Sequence, residues 1–377
     1  MKIEILSLNF KKALNNIERL SKKNSILPIL QNVLLETEKN FLKINSTDLE
    51  TSIIYWILAK IKKEGKLVVP ASILSSLVGL IKEDKIELIE ENKNLILKTN
   101  TQNTRIQGVN PDDYPLIPTI KEESYVEISG EQLAEGIAQV INVPSFSPIR
   151  PEISGVYFFF GKNILKIVGT DSFRLAEKTI YLKEKIGKEG EFILPQSTTR
   201  ELLNILSQET TNVKIYFDPK QVLFEWFNKE ASHSYIHVYS RLIEGEYPNY
   251  QEIIPKKFTT QITIGKEELL SEIKKAGLFA SKISEIKITP ILKENKIKIF
   301  SESPDLGRNE SQLPVKIESE EEKDLEISFN YKFLIDGLIN IKSSEVVLKL
   351  SGGDGPAILA GVGDLSYLYI LMPIKTS

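Results

Sequence analysis

Histidines that could hold a metal ion are few in this sequence. The two histidines, His233 and His237, are four residues apart. The segment around them, His-Ser-Tyr-Ile-His-Val-Tyr, has the alternating pattern of a β-strand. Four residues of a strand span about 13 Å, which is too far for two ligands of one ion. Because the chain also lacks cysteine, the sequence predicts no metal site, no cofactor and no thiol chemistry.

Other segments with reactive side chains lack the partners that catalysis needs. Ser351–Pro356 is rich in glycine, but no Lys-Ser/Thr pair follows it, so a hairpin turn is favoured over a phosphate loop. The acidic runs Asp112-Asp113 and Glu320–Glu322 would need further ligands to bind a divalent cation. These patterns favour a binding or structural protein. A metal-dependent nuclease that uses the acidic loops is the alternative.

The segment between Asn9 and Lys23 is strongly basic, although the chain as a whole has a formal net charge of −3. It contains five basic residues and one acidic residue: Lys11, Lys12, Arg19, Lys22, Lys23 and Glu18. On an isolated helix, basic residues like these usually form the face that contacts solvent. On a surface that meets nucleic acid they would face phosphates.

Features of a secreted or membrane protein are not expected. Lys2 and Glu4 place charges inside the first apolar stretch, so we predict no signal peptide. The apolar run Ser52–Ala59 is under half the length that spans a bilayer. The sequence therefore predicts a cytoplasmic protein with no membrane contact.

One succession of secondary-structure elements occurs three times along the chain, and these elements must position any functional residue. A short apolar strand followed by a helix begins at Ile3, at Val126 and at Ile262. The period of about 125 to 135 residues is much longer than the 20–50 residues of a solenoid repeat. The chain therefore contains three copies of one whole domain.

Each copy is predicted to contain two β-α-β-β-β units. Helices are expected at Ala71–Lys82, Thr198–Leu206 and Tyr331–Ile341, and strands such as Thr51–Ile57 lie between short turns. Short turns between neighbouring strands imply antiparallel sheets with helices on one face, which is an α+β fold. Proline-rich segments close the first two copies, and the predicted domains are residues 1–120, 121–254 and 255–377.

A Thr-Asp pair ends a strand in two of the copies, at Thr47-Asp48 and Thr170-Asp171. At such a turn the aspartate is expected to accept hydrogen bonds from local backbone amides. Only the second copy continues with Phe173-Arg174-Leu175.

At these residues the chain resembles the β subunit of bacterial DNA polymerase III, the sliding clamp, over its whole length. The resemblance rests on motifs that occur in order along the threefold repeat: Ile26–Leu30, Asn32–Leu35, Ser46–Glu50, Arg150-Pro151, Ser154–Val156, Gly169–Asp171, Arg174–Ala176, Tyr247–Tyr250 with Pro255, and Tyr369–Lys375. It implies a head-to-tail homodimer whose six domains close into a ring around duplex DNA. Twelve helices would line the hole and the sheets would lie outside. The implied bore is basic and holds DNA of any sequence.

The resemblance also implies which residues serve each role. The partner-peptide pocket would contain Ile153, Thr170, Ser172, Phe173, Arg174, Leu175, Pro248, Ile253, Ile370, Leu371, Met372, Pro373, Ile374 and Lys375. The residues expected to face DNA are Lys11, Lys12, Arg19, Lys22, Lys23, Asn24, Arg150 and Arg200. The dimer interface would include Ile106, Leu278 and Phe279.

The implied function is that of a non-catalytic processivity factor. Its implied partners are double-stranded DNA and a second copy of itself. The DNA polymerase III α subunit, the clamp loader, repair polymerases and mismatch-repair proteins are further implied partners, and these would bind through short linear peptides. Three departures from the family pattern predict an altered peptide preference. Ser172-Phe173 replaces Gly followed by His or Tyr, Glu252 replaces a basic residue, and Pro151-Glu152 lacks an aromatic pair. A monomeric peptide-binding scaffold that never meets DNA is the remaining alternative.

Overall fold

The computed structural model describes residues 1–22, 27–117, 120, 124–182, 189–228, 233–321 and 324–375. Lys23 and Asn24, which were predicted to face DNA, lie outside the described residues.

Six α-helices lie in this part of the chain, one in each predicted β-α-β-β-β unit. They are α1 (Ser7–Ser21), α2 (Ala71–Leu80), α3 (Gly130–Val140), α4 (Gln196–Leu206), α5 (Lys266–Gly277) and α6 (Tyr331–Asn340). Apolar residues at helical spacing form the buried face of each, as Phe10, Leu14 and Ile17 do in α1. The three helices predicted from the sequence are confirmed with ends that shift by one or two residues.

The strands of the first copy are β1 (Lys2–Leu6), β2 (Asn32–Glu38), β3 (Phe41–Thr47), β4 (Thr51–Lys63), β5 (Lys66–Pro70), β6 (Lys85–Glu91), β7 (Asn94–Lys98) and β8 (Asn103–Ile106). Strand β4 is six residues longer than predicted, because its charged second half pairs with β1 through Ile3↔Ile61 and Ile5↔Ala59. Pairing with a neighbour thus extends the strand past the point where its apolar pattern ends.

The strands of the second copy are β9 (Val126–Ile128), β10 (Gly155–Gly161), β11 (Ile164–Thr170), β12 (Arg174–Tyr181), β13 (Gly190–Pro195), β14 (Val213–Phe217), β15 (Gln221–Asn228) and β16 (His233–Arg241). Those of the third copy are β17 (Thr260–Gly265), β18 (Glu285–Ile291), β19 (Lys296–Ser303), β20 (Gly307–Pro314), β21 (Lys316–Ser319), β22 (Ile327–Asn330), β23 (Glu345–Leu350), β24 (Ala357–Gly361) and β25 (Tyr367–Leu371). Strand β21 is an addition to the repeated unit.

The chain forms two compact units, residues 1–134 with 184–243 and residues 135–183 with 244–377. In the first unit, strands run in the order β8-β7-β6-β1-β4-β16-β15-β14-β9, with β2, β3 and β5 joined at β4. In the second unit, one sheet runs β10-β11-β12-β25-β24-β23-β17-β21 and another runs β20-β19-β18-β22. The pairings among these strands are antiparallel, as at β4 with β16 and at β12 with β25, which agrees with the α+β fold expected from the short turns.

A repeated junction and a candidate peptide-binding groove

Each unit contains a junction at which one copy of the repeat continues the sheet of the next. At the first junction β4 pairs with β16, for example Ile53 with Val238. At the second junction β12 pairs with β25, for example Leu175 with Ile370. A continuous ladder of backbone hydrogen bonds therefore joins neighbouring copies, in addition to the proline-rich connections.

Helices meet side by side at both junctions. At the first, Asn16 of α1 and Gln208 beyond α4 exchange side-chain hydrogen bonds, at 2.9 Å for Gln208 Nε2 to Asn16 Oδ1. At the second, Gln139 of α3 donates to the carbonyl of Asn340, the last residue of α6, at 2.6 Å. An ion pair accompanies each contact. At the first junction Lys12 of α1 pairs with Glu209 beyond α4, and at the second Glu135 of α3 pairs with Lys342 beyond α6, so the charges are reversed.

The turn that leads into the pairing strand has the same hydrogen bonds at both junctions. Asp48 Oδ1 accepts from the amides of Glu50 and Thr51 at 3.1 and 2.7 Å. Asp171 Oδ1 accepts from the amides of Phe173 and Arg174 at 3.0 and 2.9 Å. This arrangement confirms the turn predicted from the Thr-Asp pairs.

The third residue of each turn is left-handed, with φ of +75° at both Leu49 and Ser172. Glycine adopts this conformation without the steric cost that a Cβ atom brings. The geometry explains why glycine is usual at the position of Ser172 in the family that the chain resembles.

The segment after the pairing strand also repeats. The amide of Arg241 donates to the carbonyl of Glu50 at 2.9 Å, and that of Met372 donates to the carbonyl of Phe173 at 2.8 Å. Two residues further on, the amide of Ile374 donates to the Ser328 carbonyl at 2.8 Å. The backbone of the C-terminal segment is therefore fixed beside the second turn.

A groove of about 760 Å³ opens at the second junction. Its walls come from the turn, the start of α6, the loop after α5 and the C-terminal segment: Ser172, Phe173, Ile283, Asn330, Phe333, Met372, Pro373, Ile374 and Lys375. Most of these side chains are apolar, and Phe173 is 63% exposed. A concave apolar surface with a few polar groups is typical of a ligand or peptide site.

Arg174 holds the base of this groove together. Its guanidinium donates to four oxygens and stacks on one ring: Asp171 Oδ2 at 2.9 Å, Asp336 Oδ2, Tyr369 Oη at 3.3 Å, the Asn142 carbonyl at 3.1 Å, and the Phe333 ring with its centroid 4.3 Å away. The planar fork of arginine suits such a convergence of acceptors. Arg174 thus positions Phe333, and most of its donors are already used.

The electrostatics of this cluster follow from its burial. Desolvation by itself would lower the pKa of the Arg174 guanidinium, but the oxygens of Tyr369, Asp336 and Asp171 raise that pKa above its ordinary value. Burial raises the pKa of the Tyr369 phenol as well. The arginine therefore remains charged and the tyrosine remains a neutral hydrogen-bonding group.

Apart from Arg174, the predicted pocket residues fall into three groups. Six line the groove, namely Ser172, Phe173, Met372, Pro373, Ile374 and Lys375. Others are buried in or beside the strands behind it, namely Ile153, Thr170, Leu175, Ile370 and Leu371. Pro248 is half-buried and Ile253 is exposed, and neither lines this groove.

Three groove residues were not predicted. Phe333 lies at helical spacing with other apolar residues of α6, a pattern that by itself indicates a core position. Asn330 caps α6 by accepting from the amide of Lys332 at 3.0 Å. Ile283 is an exposed residue of an irregular loop, and no sequence pattern singles it out.

The residues predicted to face DNA lie in different surroundings. Lys11 Nζ donates to the carbonyl of Ile81 at the end of α2, where a lysine satisfies a free helix carbonyl. Lys22 pairs with Glu18 at 2.9 Å, and Arg19 is exposed on the same helix. Arg200 is exposed on α4.

Arg150 lies elsewhere. Its guanidinium is 3.2 Å from Glu152 Oε1 and 3.5 Å from Ser172 Oγ, at the rim of the groove. The turn before β10 thus directs Arg150 towards Ser172, beside the groove. That Arg150 faces DNA stays a prediction.

The helices do not share one basic surface. Helix α1 has three basic residues and one acidic residue, whereas α3 has Glu131 and Glu135 and no basic residue, and α2 has no charged residue. Among the described helices, a surplus of positive charge is thus found only in α1 and the residue that follows it.

The predicted interface residues differ in exposure. Ile106 is 4% exposed, although it belongs to β8 at the edge of its sheet. Leu278, just after α5, is 71% exposed, and Phe279 is half-buried.

Within the described ranges, no group of three or more histidine, aspartate or glutamate residues could hold a metal ion. Asp112, one of the acidic residues of the nuclease alternative, pairs with Lys66 at 2.6 Å. His237 contacts Tyr239 and Glu225 at 3.1 and 3.4 Å. No helix in the described part of the chain is long and apolar enough to cross a membrane.

Comparison with known proteins covers nearly the whole chain. Residues 1–118, 127–249 and 251–375 match the N-terminal, central and C-terminal domains of the DNA polymerase III β subunit. The β sliding clamp of Staphylococcus aureus is 28% identical over 373 residues, 96% of each chain. That of Synechococcus elongatus is 24% identical over 355 residues, 92% of each chain. The crystal structure of the β subunit from Thermotoga maritima superimposes with a TM-score of 0.91 and 26% identity, and each chain is covered completely.

Three α+β domains, antiparallel sheets and two helices in each domain define the DNA-clamp class of proteins. The chain belongs to the DNA polymerase III β-subunit family, the bacterial β sliding clamps. It is a DNA sliding clamp, a non-catalytic processivity factor that acts on DNA in replication and binds polymerases. A dimeric ring is characteristic of this family.

Proposed function

We propose that the groove at the second junction docks short linear peptides of the DNA polymerase III α subunit, the clamp loader, repair polymerases and mismatch-repair proteins. The observation that carries this proposal is the apolar groove of about 760 Å³ between Phe173 and the C-terminal segment. Met372 is unbranched and adaptable, which suits a site that accepts several partners. Replication of chromosomal DNA takes place in the bacterial cytoplasm, so a cytoplasmic location belongs to the same proposal.

The chemistry of the walls limits the peptide. Phe173, Phe333 and Ile374 offer apolar contacts, so aliphatic and aromatic anchors should enter the groove. Lys375 at one rim and Arg150 at the other favour a peptide that carries an acidic residue. We include Arg150 in the docking set and propose Ile153, Thr170, Leu175, Ile370 and Leu371 as its supporting layer.

A peptide-binding measurement tests this proposal. M372D should weaken binding of a labelled clamp-binding peptide of the polymerase by at least about 100-fold in fluorescence anisotropy, because a carboxylate would be desolvated against the apolar wall. The control L365D introduces the same carboxylate at an exposed leucine outside the groove residues. Equal affinities of the two variants would refute the assignment of the groove.

We further propose that the dimer forms by completing a third junction between two copies of the chain. At each junction, the third strand after one helix pairs with the third strand after another helix. Strand β4, after α1, pairs with β16, after α4, and β12, after α3, pairs with β25, after α6. The corresponding strands that remain are β20, after α5, and β8, after α2. Both are edge strands, so each has a row of backbone groups available for pairing.

The helices support the same pairing. Asn16 and Gln139 occupy the tenth positions of α1 and α3, and Lys275 is the tenth residue of α5. By analogy with the Gln139 contact to Asn340, Lys275 would reach the C-terminal carbonyls of α2 in a second copy. Leu278 beside α5 and Leu80 at the end of α2 are 71% and 80% exposed, and they would be buried in this contact. In this arrangement Ile106 contributes through the backbone of β8.

Sedimentation of the full chain tests the third junction. L278D should shift the chain towards monomer, with a dimer dissociation constant at least about tenfold higher, because it would bury a charge against Leu80. The L365D variant again provides the control. A dimer of unchanged stability in L278D would exclude this face.

We also propose that α1 and the residues that follow it in sequence provide the main electrostatic contact with DNA, through Lys12, Arg19, Lys22 and Lys23. Retention on nicked circular DNA, with loss after linearisation, is expected if the chain encircles the duplex. Retention on the linear form would contradict topological binding. Finally, we propose that the three domains meet at 120/121 and 254/255.

A further inference from the structure

A second cavity, of about 590 Å³, lies at the first junction on the face of the sheet that is turned away from α1. Tyr55 of β4 accepts a hydrogen bond from Asn16 of α1 at 2.8 Å, so its neighbours Ile54 and Trp56 point to the other face. Both line the cavity, and the connection after β8, residues 111–117, forms a further wall. The volume is typical of a site for a small molecule.

The corresponding face of the second junction is filled by three tyrosines. Tyr157 stacks on Tyr247 with ring centroids 4.6 Å apart, and Tyr250 Oη donates to Glu177 Oε2 at 2.5 Å. All three tyrosines are buried. Aromatic side chains therefore occupy the space that is open at the first junction.

Smaller residues leave this space open at the first junction. Leu34 of β2 takes the place of Tyr157, because it pairs with β3 as Tyr157 pairs with β11. Ile117 takes the place of Tyr250, three residues after the tyrosine of the repeated Tyr-Pro pair. The cavity thus results from two aliphatic side chains at positions where the other junction has aromatic ones.

A hydrogen-bond acceptor without a partner lines the cavity. Asn45 of β3 is 4% exposed, and within the described part of the chain its Oδ1 accepts no hydrogen bond. The corresponding residue of β11 is the apolar Val168, so the repeated fold does not require an amide here. A buried polar atom without a partner is costly, and a ligand that donates a hydrogen bond to it removes that cost.

The charged side chains around the cavity leave one carboxylate unpaired. Lys66 Nζ is 2.6 Å from Asp112 Oδ1, and Lys43 Nζ is 3.6 Å from Glu38 Oε2. Glu36 of β2 lies opposite both lysines in the strand register, but its carboxylate forms no ion pair with any described residue. Three carboxylates therefore accompany two ammonium groups, and a cationic ligand is favoured over an anionic one.

We propose that this cavity binds a small organic cation. An amidinium or guanidinium of the ligand donates to the Glu36 carboxylate and to Asn45 Oδ1. These two residues are diagonal neighbours across β2 and β3, with Cα atoms about 7–8 Å apart, so one planar cation lies between them. The apolar body of the ligand packs against Trp56 and Tyr239, since aromatic walls suit a cation as well as the apolar group that carries it.

Benzamidine is the probe, and benzoate, which has the same ring and the opposite charge, is the control ligand. The full-length protein is titrated with each while tryptophan fluorescence is recorded, because Trp56 lines the cavity and Trp226, the other tryptophan, is completely buried. Benzamidine should bind at least about tenfold more tightly than benzoate. E36Q should weaken benzamidine binding about tenfold, since a charge-assisted hydrogen bond is lost. The matched control E131Q makes the same change at an exposed residue of α3 and should leave the affinity within about twofold.

L34Y tests the comparison with the second junction. The added ring should fill the cavity as Tyr157 fills the other face, so benzamidine binding should be lost while urea denaturation still shows a folded protein. E36Q alone decides the question if L34Y does not fold. Equal affinities for benzamidine and benzoate, or a benzamidine affinity that E36Q leaves unchanged, would overturn the proposal. Absence of saturable benzamidine binding would overturn it as well.

Discussion

The two junctions have the same backbone and different side chains, and the difference explains where partners can bind. At the first, Thr51 Oγ1 and Thr198 Oγ1 are 2.6 Å apart in a buried hydrogen bond. At the second, the corresponding residues are Arg174 and Phe333, whose large side chains stack. Two small residues close the space between turn and helix, whereas two large ones hold the walls apart.

The segments beside the turns differ in the same sense. Glu50 at the first turn accepts a hydrogen bond from Ser197 Oγ at 2.9 Å, so the helix start covers the turn. Phe173, the corresponding residue of the second turn, stays exposed beside Met372 and Ile374. Peptide docking is therefore expected at the second junction alone, whereas the cationic α1 of the first junction is proposed to contact DNA.

Removal of the C-terminal segment should have the largest effect on this contrast. Deleting residues 372–377 removes one wall of the groove and the backbone bonds of Met372 and Ile374. We expect peptide binding to fall by more than about 100-fold while the dimer persists, since β8 and β20 are untouched. Calorimetry with the polymerase peptide and sedimentation measure the two properties. A dissociated dimer would show that the segment serves the interface instead.

Loss of Arg174 should come next. R174A leaves Asp171 without its ion pair and Phe333 without its stacking partner, so unfolding free energy should fall by about 3 kcal/mol. T51A at the equivalent position of the first junction removes one neutral hydrogen bond and should cost about 1 kcal/mol. Urea denaturation compares them. Equal losses would mean that the arginine cluster contributes no more than the threonine pair.

The repeat itself explains how much of this could be predicted. The Thr-Asp turns, the helices and the antiparallel strands follow from local patterns, so the sequence alone indicates them. The role of Phe333 depends on Arg174, which is 159 positions earlier in the sequence, and helical spacing cannot report such a contact.

Side-chain direction accounts for the other differences. Arg150 reaches Ser172 because the loop after α3 is anchored at Pro144 and Ser147, which no motif specifies. Lys11 was grouped with its basic neighbours, but its side chain reaches the end of α2. The charge of a residue is visible in the sequence, whereas its bonding partner is a property of the tertiary structure.

Charge reversal near the first junction should have a smaller effect, restricted to DNA. K22E/K23E should weaken DNA association about tenfold at low salt and reduce the salt dependence, because two cations no longer displace counterions. Peptide affinity should not change. Titrations at several salt concentrations test this. The control is K162E/K293E, at two exposed lysines in the turn between β10 and β11 and in the short 3-10 helix after β18. An unchanged salt dependence would remove this helix end from the DNA-binding surface.

The smallest effect is expected at Leu49 and Ser172, the two turn residues whose backbone is left-handed. L49G and S172G each relieve the cost of a Cβ atom at φ +75°, and each adds disorder to the unfolded chain. The steric cost of the Cβ atom is about 1–2 kcal/mol, and the greater freedom of the unfolded chain with glycine costs about 0.5–1 kcal/mol. The unfolding free energy of each variant should therefore rise by about 0.5–1 kcal/mol. S172G should gain less, since it also loses the 3.5 Å contact with Arg150. Destabilisation of both would mean that the turns are not strained, and a larger gain for S172G would mean that the Arg150 contact adds nothing.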